Sequence, residues 1–302
     1  MVEVWFFYVI SAVVIWGLNA LVDKFFLSKH LNPFAYQLVY IPITLILIAS
    51  ILVFTPINFN SVLSYPSYVA FFAGALGVAG FYLYAFSLKS EEVSRMVALT
   101  NLYPAFVAIF AAFLVNEIFS AKIYFGIAVM LLGTVLISYK RGAFRNMIPL
   151  LLILLAIAVN IIFAFEQTIS KVSLATFSFW QLFEIYLWGR VFATFAPFAV
   201  ARLIRKSISE LKSLKKNKIF VLVIATSAWM SASVFFFYAA SLGPITLVST
   251  ISITAPFLTL LAAVLISKFW SKILKEEIDK RTVALKLLAI VLIFLGTYLI
   301  TV

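Results

Sequence analysis

Ten long apolar runs follow one another along the chain, and they constrain its fold more than any other feature of the sequence. They lie at about 4–22, 34–55, 67–88, 94–116, 123–139, 147–166, 178–201, 219–241, 245–267 and 283–301. Because about 20 apolar residues form a helix that crosses the hydrocarbon of a bilayer, each run predicts one membrane-spanning helix. Hydrophobic residues make up 65% of the chain and charged residues 11%, which is too little polar surface for a water-soluble core. The prediction is an all-α polytopic membrane protein with ten transmembrane helices.

Residue types that the sequence lacks exclude several kinds of chemistry. There is no cysteine and a single histidine, His30, so thiolate ligands and a multi-histidine metal site are excluded. The sequence contains no Walker loop or other nucleotide-binding motif, which argues against direct coupling to ATP hydrolysis. We therefore expect neither a metal nor a cofactor. Glu3 stands where a signal peptide would carry basic residues, so the first run is predicted to remain as a helix.

Basic residues fall almost entirely in alternate connections between the apolar runs. Of the 23 Lys and Arg, 20 lie in or beside the connections that follow odd-numbered runs. They are Lys24, Lys29, Lys89, Arg95, Lys140, Arg141, Arg145, seven residues of segment 202–218, Lys268, Lys272, Lys275, Lys280, Arg281 and Lys286. The positive-inside rule places such connections in the cytoplasm. We predict a multi-pass protein of the cell membrane with both termini outside, because the number of runs is even.

The longest connection, residues 202–218, carries seven of these basic residues. It predicts an amphipathic segment that lies at anionic lipid headgroups on the cytoplasmic face. Nucleic-acid binding is the weaker interpretation, because neither interleaved aromatic residues nor a known binding module accompanies the basic residues. The expected partners are the lipid bilayer and a small-molecule substrate, and no nucleic acid is expected.

The first half of the sequence returns in the second half. The matching pairs are YAFSL at 84–88 with YAASL at 238–242, GTVLI at 133–137 with GTYLI at 296–300, Pro104 with Pro256, and Lys24 with Lys171. Each half therefore holds five helices, and because five is odd the second half has the opposite orientation in the membrane. We predict two inverted five-helix repeats, residues 1–145 and 146–302, around a central cavity that opens to each side in turn.

The two prolines of this repeat, Pro104 and Pro256, lie near the middle of the fourth and ninth runs. A proline inside a helix removes one backbone hydrogen bond and bends the helix. In lipid, the freed carbonyl needs another partner. The paired prolines are either structural bends or bends that line a substrate pathway.

The ordered set of motifs resembles the EamA-type members of the drug/metabolite transporter superfamily. The first half carries Trp16 and Gly17, then Tyr84, Ala85, Leu88, Pro104, Glu117 and Gly133. The second half keeps Tyr238, Ala239, Leu242, Pro256 and Gly296, but Phe269 stands where the family has an acidic residue, with Glu276 and Glu277 nearby. The resemblance implies ten helices in two homologous halves and transport of amino acids, other metabolites or drug-like compounds. Family members are usually drawn with cytoplasmic termini, opposite to the orientation that the charges predict here.

Charged side chains at membrane depth are costly, and Glu166, Glu184 and Arg190 are functional candidates for that reason. Aligning Lys24 with Lys171 sets Asn19 opposite Glu166, so the first and sixth helices present polar groups at equivalent places. The predicted substrate cavity comprises Trp16, Asn19, Gln37, Tyr40, Tyr82, Tyr84, Asn101, Glu166, Gln181, Glu184, Arg190, Tyr238 and Ser252, with helix bends at Pro104 and Pro256. The alternative for the charged members is a structural ion pair between neighbouring helices.

Glu166 has three interpretations that the sequence leaves open. Desolvation at membrane depth favours the neutral carboxylic acid, whereas a nearby cation favours the carboxylate. Glu166 is therefore a proton-exchanging group, a fixed anion that holds a substrate amine, or an anchor at the end of its helix near Lys171.

A secondary carrier is the function that these patterns favour. An enzyme would need a catalytic constellation, and the sequence offers no convincing one, so no enzymatic activity is predicted. The charged candidates together suit a zwitterion, such as an amino acid or a related compound, moved by alternating access with or without a coupled proton. A passive channel, a lipid scramblase and the efflux of drug-like organic cations are the alternatives, because polar helix faces alone do not show coupling.

The predicted orientation can be tested by cysteine labelling, since the natural chain has no cysteine. A cysteine at Ser209, in the basic connection, should be protected from an impermeant maleimide in intact cells. A cysteine at Val302 should react under the same conditions, because both termini are predicted outside. The reverse labelling pattern would show that the orientation is wrong.

Overall fold

The computed structural model describes residues 3–55, 64–88, 93–137, 150–269 and 280–301, and every regular element within these ranges is helical. The all-α prediction is confirmed for this part of the chain. The predicted repeat boundary at 145/146 lies outside the described residues, as do the acidic pair Glu276 and Glu277 and the terminal Val302.

Thirteen α-helices and two short 3-10 turns make up the described structure. The first half contains α1 (Val4–Lys29), α2 (Pro33–Phe54), α3 (Tyr65–Leu88), α4 (Val93–Thr100), α5 (Tyr103–Leu114) and α6 (Ala121–Ile137). The second half contains α7 (Leu150–Ser173), α8 (Phe179–Phe195), α9 (Ala201–Lys212), α10 (Lys216–Leu242), α11 (Ile245–Ile251), α12 (Ala255–Phe269) and α13 (Lys280–Thr301). The 3-10 turns are Ala196–Ala199 and Ser252–Thr254.

Several of these helices are long and apolar enough to cross a membrane. Within the described residues seven segments meet that condition, among them Met96–Leu114 and Ile245–Ala263, each of which contains a break. The strongly bent segment Phe179–Lys212 makes an eighth if it is counted as one span. Ala121–Leu136 and Leu287–Ile300 are shorter apolar helices. The prediction of a multi-pass membrane protein is therefore confirmed at this level.

Two of the segments are broken just before a proline. In the first half α4 ends at Thr100 and α5 begins at Tyr103, so Pro104 lies in the first turn of α5. In the second half a 3-10 turn separates α11 from α12, and Pro256 is the second residue of α12. A proline in a first turn removes no helical hydrogen bond. The prediction of a proline inside a continuous, bent helix is therefore wrong: each proline begins the second part of a broken helix.

Side chains bond the backbone carbonyls beside both breaks. Asn101 Nδ2 donates to the carbonyl of Val97 at 2.6 Å, and Asn160 Nδ2 of α7 donates to the carbonyl of Leu99 at 2.8 Å. In the second half Thr254 Oγ1 donates to the carbonyl of Ile251 at 2.8 Å. Carbonyls that leave a helical ladder at membrane depth need such partners, since lipid supplies none.

The basic segment forms a short helix that turns sharply away from the preceding span. The axis of α9 is bent by 109° from the segment Phe179–Ala199, and its Arg202, Arg205, Lys206 and Lys212 are exposed. On its other face, Glu210 Oε2 accepts hydrogen bonds from the backbone N–H and the side-chain amide of Asn32, at 2.7 and 2.8 Å. Asn32 is itself the N-cap of α2, where its Oδ1 accepts from the N–H of Ala35. The α9 helix therefore holds the turn between α1 and α2.

Helix packing crosses between the two halves. α1 packs against α10 and α12, α7 packs against α3 and α5, α2 packs against α8, and α6 packs against α13. The approach of α3 to α8 is the tightest at two glycines. A Cβ added to Gly74 would lie 1.9 Å from the carbonyl oxygen of Tyr186, and a Cβ added to Gly189 would lie 1.9 Å from that of Phe71. The two backbones can come this close because neither glycine carries a side chain.

Replacing either glycine tests this contact. Alanine is ordinarily the better helix former by about 1 kcal/mol, but here its methyl group must push α3 and α8 apart. We expect Gly74→Ala and Gly189→Ala each to destabilise the purified protein by about 1–3 kcal/mol, the usual cost of overpacking. Thermal unfolding in detergent measures the effect. Ala79→Val, which enlarges an exposed residue of the same helix, is the control, and unchanged stability of both glycine variants would contradict the packing.

Candidate functional site

A cavity of about 130 Å³ lies between helices of the two halves. Its walls come from α1, α3, α4 and α5 on one side and from α7, α8, α10 and α12 on the other. Asp23, Glu166 and Arg190 are the charged residues that line it within the described chain. Much of the remaining wall is aromatic and includes Trp16, Phe81, Tyr84, Phe163, Trp229 and Phe236. The cavity thus combines an apolar wall with a few convergent polar groups, as small-molecule sites commonly do.

Glu166 and Arg190 are joined through the hydroxyl of Tyr186. Tyr186 Oη donates to Glu166 Oε1 at 2.5 Å, and Arg190 Nη1 donates to Tyr186 Oη at 3.2 Å. The Arg190 guanidinium also lies 4.8 Å from the centroid of the Trp229 ring. Glu166 is 5% exposed and Arg190 is 4% exposed, so both charges are desolvated and depend on these contacts. Tyr186 and Arg190 are four residues apart on α8, which places both on the same face of the helix.

The network fits only because α3 has a glycine beside it. A Cβ on Gly77 would lie 2.5 Å from Glu166 Oε1 and 3.0 Å from both Arg190 Nη1 and Tyr186 Oη. Even an alanine would therefore displace the three polar side chains. The polar network therefore explains why a glycine stands at position 77, beyond the close packing of the helices.

Asp23 of α1 forms a second carboxylate–tyrosine contact. Tyr36 Oη of α2 donates to Asp23 Oδ1 at 2.5 Å, and Asn19 Nδ2, one turn earlier on α1, is 3.4 Å from the same oxygen. Asp23 is 3% exposed and lines the cavity together with Trp16 and Ala20 of the same helix. The three share one face, since spacings of three, four and seven residues return to the same side of a helix.

Of the residues that the sequence predicts for the cavity, five line it: Trp16, Tyr84, Asn101, Glu166 and Arg190. Asn19 reaches the site indirectly through Asp23. Tyr40 packs edge-to-face on Trp229, with ring centroids 5.4 Å apart, behind the wall. Pro104 and Pro256 do not line the cavity, but the residue before each, Tyr103 and Ala255, does.

The other predicted residues lie elsewhere. Tyr82 Oη donates to the carbonyl of Thr194, Gln181 forms a capping box with Ser178, Tyr238 packs on Tyr8, and Ser252 Oγ bonds the carbonyl of Val248. Gln37 and Glu184 are buried, and their side-chain polar atoms have no hydrogen-bond partner among the described residues. None of these six side chains lines this cavity, and their assignment to the substrate site stays a prediction.

The structure also adds residues to the site that the sequence did not single out, chiefly Asp23, Gln167, Tyr186 and Trp229. Asp23 lies one turn after Asn19, and Tyr186 lies one turn before Arg190. Their helical spacing from a predicted residue could therefore have identified both as residues of the same helix face. No comparable signal marks Trp229, because its role depends on where α10 crosses α8.

The acid that the family motif places at the end of its fourth helix has a structural partner in the other half. Glu117 accepts hydrogen bonds from the N–H groups of Ile245 and Thr246, at 2.7 and 2.9 Å, at the start of α11. Lys171 Nζ donates to the carbonyls of Ala240 and Gly243, at 2.6 and 2.9 Å, at the end of α10. An anion at a helix N-terminus and a cation at a C-terminus are both favourable. Lys171 thus holds this turn and does not form an anchor with Glu166.

Comparison with known proteins agrees with this architecture. Residues 3–139 match the EamA-like transporter family, which confirms the resemblance that the motifs predict. No curated protein sequence matches the chain. A solved structure described as "Crystal structure of protein" superposes with a TM-score of 0.70 at 18% identity, over 98% of this chain and 95% of that one. At that identity the similarity shows the fold alone.

Removing the Tyr186 hydroxyl tests whether it holds the two charges together. Tyr186→Phe leaves Glu166 and Arg190 buried without their shared partner, so we expect a loss of about 1–3 kcal/mol in the free energy of unfolding. Thermal unfolding of the purified protein is the measurement. Tyr238→Phe is the control, because within the described chain its hydroxyl makes no hydrogen bond. Equal stability of the two variants would show that the network contributes nothing.

Proposed function

We propose that this chain, which matches the EamA-like transporter family over residues 3–139, moves a small organic metabolite across the membrane by alternating access, as a secondary carrier. The observation that carries the proposal is the Glu166–Tyr186–Arg190 network, which lines a cavity built by helices of both halves. Buried ionisable groups at membrane depth are expensive to maintain and commonly mark substrate or ion pathways. A site shared between two halves is also where a rocking motion would change access from one side to the other.

Ten spans arranged as two inverted repeats are part of the proposal. The pattern of helix contacts supports it, because exchanging each helix for its counterpart in the other half reproduces the main contacts between the halves. The contact of α1 with α10 becomes that of α7 with α3, and the contact of α1 with α12 becomes that of α7 with α5. The pairs α2–α8 and α6–α13 map onto themselves. The proposed domain limits are 1–145 and 146–302.

Lysine contacts at the helix ends support the same symmetry. Lys24 of α1 donates to the carbonyl of Leu88 at the end of α3. Its repeat counterpart Lys171 of α7 donates to carbonyls at the end of α10, the counterpart of α3. In an inverted repeat these two contacts lie toward opposite faces of the membrane, and the basic connections place the Lys24 face in the cytoplasm.

The broken helices belong to the proposed mechanism. Both breaks lie beside the cavity, since Thr100 and Asn101 line it on one side and Ala255 on the other. Discontinuous helices recur at the substrate sites of inverted-repeat carriers, because they expose backbone groups and allow two half-helices to move separately. Pro104 and Pro256 fix the start of the second half-helix in each case. In this proposal the paired prolines shape the broken helices beside the cavity and do not contact the cargo.

The cargo is proposed to be small and charged, such as an amino acid or a related compound. Pockets that hold drug-sized ligands have volumes of about 300–1,000 Å³, several times that of this cavity. Glu166 offers a carboxylate and Arg190 a guanidinium, so the site can pair with groups of either sign. Aromatic rings on the remaining walls suit an apolar portion of the cargo.

Transport by purified protein in proteoliposomes tests the function. We expect saturable counterflow of at least one compound from a panel of amino acids, purines and organic cations. Glu166→Gln should reduce that exchange by about tenfold or more, the cost of one charge-assisted contact. Glu184→Gln is the matched control, because Glu184 is equally buried but lies outside the cavity.

The pattern of failure distinguishes the alternatives. Loss of pH dependence with retained exchange in Glu166→Gln assigns a proton to Glu166, and loss of binding at every pH assigns direct recognition of the cargo. Flux that does not saturate would replace the carrier with a channel, and movement of labelled lipid alone would replace it with a scramblase. Unchanged exchange in Glu166→Gln would remove Glu166 from the site.

A further inference from the structure

The charges that line the cavity do not balance. Two carboxylates, Asp23 and Glu166, face it together with one guanidinium, that of Arg190. Glu166 and Arg190 share the Tyr186 hydroxyl, so they compensate each other across one hydrogen-bonded group. Asp23 receives hydrogen bonds from Tyr36 and Asn19, which are neutral, and no cation of the described residues contacts its carboxylate. When all three groups are ionised, the lining therefore carries one uncompensated negative charge, at Asp23.

We propose that Asp23 is a second anionic subsite, which binds the ammonium group of a cargo that carries a net positive charge. The proposal rests on the transport function proposed above and narrows its substrate class to organic monocations. An ionised carboxylate away from water is costly unless a cation pairs with it. Tyr36 and Asn19 both donate to Oδ1, and no described residue donates to Oδ2, so one carboxylate oxygen remains for the ligand.

The walls beside Asp23 have the composition of a cation site. Trp16 lies on the same face of α1, and Ala20 between them leaves space at the wall. Phe81, Tyr84 and Trp229 add further ring faces to the cavity. Aromatic faces attract ammonium groups, and the attraction strengthens when the pair is desolvated. An anion would meet these ring faces and the excess negative charge together, so the lining discriminates against it.

A second polar group in the cavity also lacks a partner. Gln167 is 7% exposed and lines the cavity, and its Oε1 accepts no hydrogen bond from the described residues. An amide oxygen accepts and does not donate, so this oxygen is open to a donor that the described residues do not supply. An ammonium group or another N–H of the cargo supplies such a donor, whereas a carboxylate does not. Asp23 and Gln167 therefore select for the same chemistry from α1 and α7.

Four probes that share a phenyl ring and differ in charge test the proposal. They are phenethylammonium, zwitterionic phenylalanine, neutral 2-phenylethanol and anionic 3-phenylpropanoate. Binding to the full-length protein in nanodiscs is measured by calorimetry, with thermal unfolding of every variant as a check on folding. We expect phenethylammonium to bind at least tenfold more tightly than 3-phenylpropanoate. Asp23→Asn should remove that preference, and Asp23→Glu, which keeps the charge, should retain most of it.

Tyr36→Phe separates a structural role from a binding role. It removes the hydrogen bond from Tyr36 and leaves the carboxylate in the cavity, whereas Asp23→Asn keeps an oxygen that can accept this bond and removes the charge. The preference for phenethylammonium should therefore persist in Tyr36→Phe. If Asp23→Asn binds phenethylammonium as tightly as the parent, the Asp23 carboxylate does not bind the cargo cation, and the proposed subsite is wrong. If phenylalanine binds more tightly than phenethylammonium in the parent, the monocation class is wrong while the carrier function stands. If no probe binds and no compound is exchanged in proteoliposomes, the proposed function itself fails.

Discussion

Hydrocarbon supplies no hydrogen-bond partners, and the described structure depends on that constraint throughout. Side chains bond the backbone beside both helix breaks and at the turn between α10 and α11. Asn101 and Asn160 bond carbonyls beside the first break, while Glu117 and Lys171 hold the two sides of the turn between α10 and α11. Since Glu117 bonds the backbone of the second half and Asn160 bonds that of the first, two of the contacts that satisfy the backbone also join the halves.

The same constraint makes the charged cavity informative. Arg190 and Glu166 occupy positions where an apolar residue would cost less, and they require Tyr186, Trp229 and the missing side chain of Gly77 to be accommodated. Stability alone does not explain such an arrangement, because well-packed apolar groups of similar volume would stabilise the protein as well or better. Its location between the two halves is consistent with the proposed role in moving a cargo.

Sequence reasoning reached the large features because they follow from spacing. Apolar runs of about 20 residues give helices, and Glu166 and Arg190 were conspicuous as charges within such runs. Pro104 and Pro256 marked the positions of the breaks to within a few residues, but not their form. The same residue type can bend a continuous helix from its interior or lie in the first turn of a new helix, so the sequence does not distinguish the two. Gln181, Tyr82 and Tyr238 do not line the cavity. The sequence could not show this, because a polar or aromatic residue in an apolar run can equally cap a helix, bond a neighbouring backbone or pack on another ring. The partners of Asp23 and Arg190 depend on how α1 meets α2 and how α8 meets α10, which no local pattern encodes.

The hydrogen bonds of Glu210 with Asn32 have a mechanical consequence. They tie the short helix after α8 to the beginning of α2, and α2 supplies the tyrosine that holds Asp23. The counterpart of Asn32 in the second half is Ser178, since each is the N-cap of the second long helix of its half, and Ser178 forms its capping box with Gln181 of its own helix. Among the described residues, one end of the molecule thus has a brace between its halves, and the described part of the corresponding turn at the other end has none. If the halves rock, the motion that opens the braced end must break or carry these bonds. The brace would then favour the end state in which the braced end stays closed, even in the absence of any gradient.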